Sequence, residues 1–253
     1  MKAFFQDLGK AISNFKFYKE VKDFQLSRGM KYIFSLIFLI TLALSIRYSY
    51  DFKRGLNIVL DWTKQNIPPI TIQNGIVSVD VKQPYKVVTE DFALIIDTTG
   101  EITNLDGYKR GILLLKDKLM YKESDVKTES YSLSNIPLLK LDENFMNTLR
   151  RNIIWIVFPI LFISCYSGFS LAKFLHIILF SLISVATSSI ANIKLSYRQL
   201  FNIGIYTITP SAILGALLAI FGLQLPLFGI IYSGLYIIYL IVAILNCKEE
   251  KLP

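Results

Sequence analysis

His176 is the single histidine among 253 residues, and it stands inside a long apolar run three positions after Lys173. An ionisable group at such a position is a functional candidate in its own right, as a proton relay or a polar contact between helices. One histidine excludes two-histidine zinc sites, HExxH proteases and any machinery that needs a second imidazole. The two cysteines, Cys165 and Cys247, lie too far apart for a CxxC site or a disulfide framework and read as reduced thiols. No metal or cofactor is expected, and no catalytic set is assigned.

A second candidate is Asp97, which follows the apolar run Ala-Leu-Ile-Ile and opens Asp97-Thr98-Thr99-Gly100. Phosphorylated-aspartate ATPases need Asp-Lys-Thr-Gly-Thr and a large nucleotide-binding insertion. Aspartic proteases need Asp-Thr-Gly without the intervening Thr. Neither motif is met, and the string suits a strand-ending turn, in which Asp accepts backbone hydrogen bonds and Gly takes positive φ. Ser167 lacks the flanking glycine of a nucleophile elbow. Arg198, between Tyr197 and Gln199 in a polar interruption, could dock a headgroup or a partner. These three residues, His176, Asp97 and Arg198, are the candidates that the sequence offers.

The elements that position them follow from composition. Hydrophobic residues make up 53% of the chain and charged residues 18%, too apolar for an ordinary soluble domain of this length. The net charge is +8, but residues 51–149 carry twelve basic and fourteen acidic groups, which leaves no basic stripe for nucleic acid. The expected fold is a mostly α membrane protein. About five transmembrane helices are predicted, with a small extracytoplasmic α+β domain inserted between helices 1 and 2.

Residues 1–31 form a cytoplasmic amphipathic leader in which Phe4, Phe5, Leu8, Ile12, Phe15 and Phe17 alternate with lysines, suited to a membrane surface. Helix 1 covers 32–50, its fifteen apolar or hydroxyl residues bounded by Lys31 and Arg47, which can extend to the headgroups. Five basic groups precede it within twenty residues and three follow Arg47, which places the N-terminus in the cytoplasm.

The domain 51–149 begins with a helix ended by Pro68-Pro69. Strands follow in ITIQ, GIVSVDVK, YKVV and FALIIDT, then a hairpin with its tip at Lys116-Asp117. Asp142 is placed to cap the next helix. The four-helix bundle 150–246 is divided at a polar hinge around Gly168, Ser170 and Lys173, at KLSYRQ and at Gln224-Leu225-Pro226. A polar tail, 247–253, completes the chain, and five spans place the C-terminus outside.

Two stripes of small residues recur at helical spacing: Ser181, Ser184, Thr187, Ser188 and Ser189, and then Ala212, Gly215, Ala216, Ala219 and Gly222. They favour close helix packing. No Asp or Glu occurs in the later spans, which argues against proton- or sodium-coupled carriers.

The leader FFQDLGKAI, the segment FALIIDTTGEI, the hairpin GILLLKDKLMYK and the run YRQLFNIGIYTITPSAILGAL together resemble a family of uncharacterised multi-pass membrane proteins of Gram-positive bacteria. Some members of that family are labelled maltodextrin utilization proteins. The helical half also looks distantly similar to the membrane domain of Yip-type trafficking proteins. The resemblance implies no reaction. It implies a location in the bacterial cell membrane and a partner among sugar-uptake proteins. The expected function is thus a non-enzymatic membrane accessory protein that assists or senses maltodextrin uptake, in contact with the lipid bilayer and another membrane protein. A small-molecule or lipid transporter and an intramembrane enzyme are the alternatives.

Overall fold

The computed structural model describes residues 2–248, which divide into two compact units. Of the described residues, unit 1 comprises 2–51 and 155–248, and unit 2 comprises Phe52–Ile154. Of the predicted tail 247–253, Cys247 and Lys248 are described and the rest lies outside the described residues.

Unit 1 is helical. After α1 (Lys2–Ser13), a single tight turn (Phe15–Phe17) and the short α2 (Tyr18–Val21), it takes in the first part of α3 (Leu26–Asn66). The later part of α4 (Glu143–Ile190) follows, then α5 (Tyr197–Thr207), α6 (Thr209–Phe221) and α7 (Phe228–Asn246). The local sequence sets these boundaries. Ser196 and Gln199 form a reciprocal capping box at the start of α5, satisfying backbone amides that have no helical partner. Pro210 has no N–H to bond to Tyr206, and the helix divides at Ile208, with Pro210 in the first turn of α6. Gly222, at φ +67, ends α6, and the Leu223 amide reaches back to the Leu218 carbonyl.

The leader is part of the core of unit 1. Phe17, Tyr18 and Val21 are buried together with Tyr32, Ile33, Ile203, Tyr206 and Tyr236. The Tyr32 and Tyr206 rings stack at 4.1 Å, and the Phe17 ring meets Tyr206 edge-on at 5.8 Å. Arg28 clasps Asp7 through both carboxylate oxygens at 3.0 and 2.8 Å. The far end of α7 closes on the same leader: Tyr239 Oη donates to the Ile12 carbonyl at 3.0 Å, and Cys247 Sγ lies 3.5 Å from the Tyr18 carbonyl.

Four helical segments are long and apolar enough to cross a membrane, not five: Leu26–Asn66, Glu143–Ile190, Tyr197–Phe221 and Phe228–Asn246. The expected hinge at Gly168, Ser170 and Lys173 is helical, so the second and third predicted spans are one helix, α4. Gly and Ser each cost a helix only about 0.5–1 kcal/mol, and this stretch has neither a proline nor a left-handed cap to stop it. Helix 1 is likewise longer than the predicted 32–50.

Unit 2 carries two sheets. The first has the order β2-β1-β8, with β1 (Ile70–Gln73), β2 (Ile76–Val79) and β8 (Leu138–Leu141). The second has the order β3-β4-β5-β6-β7, with β3 (Tyr85–Val88), β4 (Ala93–Ile96), β5 (Gly111–Leu114), β6 (Lys118–Ser124) and β7 (Lys127–Ser132). Neighbouring strands are antiparallel except β4 and β5, which run parallel and are joined by the long segment 97–110, as a crossover requires.

These two central strands are apolar throughout because both their faces are covered. Ile96 and Leu114 pack with Ile70, Ile72 and Val77 of the smaller sheet, while Ile95 and Leu113 pack on the opposite face with Leu105 and Leu115. Asn74 and Gly75, both at positive φ, make the two-residue turn between β1 and β2. The β5–β6 hairpin turns at Lys116-Asp117, with Leu114 opposite Leu119.

Within unit 2, the end of α3 meets the start of α4 through Lys64–Glu143 at 2.5 Å and Asp61–Arg150. Both pairs are substantially exposed, worth ~0–1 kcal/mol each. Tyr85 Oη donates to the Asn66 carbonyl at 2.7 Å where Pro68 forbids continuation, and Asp142 Oδ1 accepts the Phe145 amide at 2.8 Å to cap α4.

Candidate functional site

The feature of unit 1 best suited to function is a cavity of about 390 Å³ enclosed by α3, α4, α6 and α7. That volume falls in the roughly 300–1,000 Å³ range of small-molecule sites. Ile33, Leu36, Ile37, Ile40 and Leu44 line one side. Ala212, Gly215, Ala216 and Ala219, the small-residue stripe of α6, line another. The same stripe also packs against α7, since a Cβ on Gly215 would come within 3.2 Å of the Phe228 ring. It therefore serves helix contact, as its spacing implies, and also leaves room for the cavity.

Polar groups enter this apolar space chiefly from α4 and α7. Lys173 Nζ donates to Tyr232 Oη at 2.6 Å and lies 4.1 Å from the centre of the same ring. His176, almost one turn further along α4, has its ring 5.6 Å from Tyr232 and 5.8 Å from Phe180. Its Nδ1 is buried without a hydrogen-bond partner among the described residues. The arrangement is a greasy chamber with a cation, a phenol and an imidazole at one place on its wall. It can hold an apolar body and recognise a polar end.

Asp97 is in unit 2, fully buried, at the end of β4. It accepts from Thr99 N at 2.9 Å, Thr99 Oγ1 at 2.5 Å and Ile102 N at 2.5 Å. Desolvation pushes its pKa up. Hydrogen bonds from the Thr99 hydroxyl and from the amides of Ile102, Thr99 and Gly100 outweigh this and hold it below the usual carboxylate range. Its oxygens are thus engaged by its own loop, where Gly100 sits at φ +88. Arg198 begins α5 and reaches the Phe24 carbonyl at 3.4 Å, beside Gln199–Asp23 at 2.9 Å and Asn202–Phe24 at 2.7 Å. Arg198 therefore helps seat the leader. His176 and Arg198 thus belong to unit 1 and Asp97 to unit 2.

Lys173 is a site member that the sequence places in a polar hinge and the structure places on the cavity wall. The signal was present, since a lone cation within an apolar run marks a functional position. Tyr232, 59 positions away on another helix, gave none.

A second, more open concavity of about 1000 Å³ lies where the leader, the segment 191–195 and the end of α7 meet, and Lys19, Lys22, Lys194 and Lys248 face it. Cys247 is buried there, and burial pushes its thiol up to about 11. Among the described residues, no group of three or more His, Cys, Asp or Glu could hold a metal ion.

Fold and cavity together define a mostly helical, membrane-type protein with a small two-sheet unit inserted in its chain. Residues 5–244 match the model of the family described as protein of unknown function (DUF1189), and the chain belongs to that family. No curated protein and no solved structure gives a significant match.

Proposed function

We propose that the protein is a non-enzymatic accessory protein of the bacterial cell membrane that takes a membrane-borne ligand into the cavity of unit 1 and acts on a partner membrane protein. The observation that carries this reading is the Lys173–Tyr232 contact set into an otherwise apolar chamber, a binding geometry with one polar end. The lysines at 19, 22, 194 and 248 support a cytoplasmic position for the leader, because the cytoplasmic leaflet is the anionic one. Unit 2 is then extracytoplasmic and available to the partner. A sugar is poorly matched to the cavity, whose walls offer few hydrogen-bonding groups. A link to maltodextrin uptake would therefore run through the partner rather than through the cavity.

The test is affinity purification of the full-length protein from gently solubilised membranes, from cells grown with and without maltodextrin. A transport or sensor protein recovered in stoichiometric amount is the expected result. A protein recovered alone under both conditions would overturn the accessory role and favour self-contained lipid carriage.

A further inference from the structure

Resting on the reading that the cavity holds a ligand, we propose that this ligand is an anionic amphiphile, with its carboxylate or phosphate head on Lys173 and its apolar chain between α3 and α6. An ammonium carries three donors, and the Tyr232 hydroxyl accepts from one of them. The residue lines a cavity whose other walls are mainly apolar. The sequence holds no Asp or Glu from 152 to 246 or from 32 to 46, so these runs supply no counter-charge. Lys173 is part-buried, and a partly desolvated cation without an opposite charge carries a cost that an incoming anion offsets where a neutral or cationic head does not. His176 Nδ1, buried and unpaired among the described residues, adds a second polar atom on the same helix face. The chain of the ligand is accommodated because Ala212, Gly215 and Ala216 withdraw side-chain bulk opposite Leu36 and Ile40.

The experiment uses the full-length protein in an uncharged detergent and measures binding of three single-chain probes by native mass spectrometry. They are oleate, oleoyl lysophosphatidic acid and the neutral glycerol mono-oleate. The two acids are expected to bind at least tenfold more tightly than the neutral lipid. Tight binding by oleate alone identifies a carboxylate head, and binding by both acids identifies charge itself as the feature read. Lys173→Met is expected to erase the preference for the two acids over glycerol mono-oleate. Should that variant fail to fold, the wild-type ratio still decides. Equal binding of all three probes would overturn the head-group assignment and leave the cavity reading in place. Absence of binding by any of them would overturn both.

Discussion

The Lys173 ammonium and the Tyr232 hydroxyl are joined by a 2.6 Å hydrogen bond between α4 and α7, with the ring of Tyr232 also facing the charge. Removing the acceptor alone, in Tyr232→Phe, leaves a charged donor unsatisfied, at a cost of ~1–3 kcal/mol. Replacing the cation by an apolar chain of similar length, in Lys173→Met, removes the need for the acceptor. The expected order of thermal midpoints in detergent is therefore wild type near Lys173→Met, and Tyr232→Phe clearly below both. The double variant should lie above Tyr232→Phe. A double variant as unstable as the sum of the two would show that the pair is not coupled.

Asp97 contributes stability through its ionised form, because its carboxylate is held below the usual range when folded. The sign follows directly. The contribution is complete above the unfolded value of about 4 and is lost as the pH falls through the lower folded value. Asp97→Asn should be about 1–3 kcal/mol less stable at pH 7. Its midpoint should also fall less steeply than that of the wild type as the pH is lowered from about 4. Parallel midpoint curves would refute the role of the charge.

Gly75 has no room for a side chain. A Cβ there would lie 2.7 Å from Ser134 Cα, and its φ of +79 is strained for any L residue. Gly75→Val should lower stability by roughly 1–3 kcal/mol. Hydrogen exchange should quicken first at Val77 and at the β1 amides. Unchanged exchange in that sheet would contradict the packing described.

The buried Cys247 thiol, pushed up to about 11, holds roughly one part in a thousand as thiolate at pH 8. A water-soluble disulfide reagent should therefore leave it unmodified in the folded protein and react fully after denaturation. Rapid modification of the native protein would show that the leader does not cover it.

Contact of the leader with the end of α7 places both on one side of any membrane that the helices cross. In a protein whose Cys165 and Cys247 are replaced by serine, a cysteine at Ser124 should react with an impermeant maleimide on intact cells. Cysteines at Lys2 and Lys248 should react only after the cells are opened. Opposite reactivity at Lys2 and Lys248 would contradict the contact.

Much of unit 2 is legible from short-range signals. Alternating β-branched runs, the Lys116-Asp117 tip, the stop at Pro68-Pro69 and the Asp142 cap are each written within a few residues. The parallel pairing of β4 with β5 is not, because it depends on a crossover whose direction no local residue encodes. The edge strand β7, KTESYS, is polar on both faces and carries little hydrophobic pattern. Among the long helices, polarity at Ser170 and Lys173 reads as an interruption, whereas only backbone chemistry such as Pro210 or Gly222 ends a helix. The site was half visible: His176 stands out by its rarity, but Lys173 acquires its meaning from Tyr232 on a distant helix.

The seating of the leader also bears on how the chain is made. Phe17, Tyr18 and Val21 leave the ribosome long before the groups that bury them, which include Tyr206 and Tyr236, and before Cys247, which meets the Tyr18 carbonyl. At about 5–20 residues per second, synthesis leaves those side chains without their final partners for on the order of 10–50 seconds. An amphipathic segment that carries both lysines and phenylalanines has a resting place during that interval, the surface of the bilayer. The membrane would thus serve first as a holding surface for the leader, until α7 arrives to displace it.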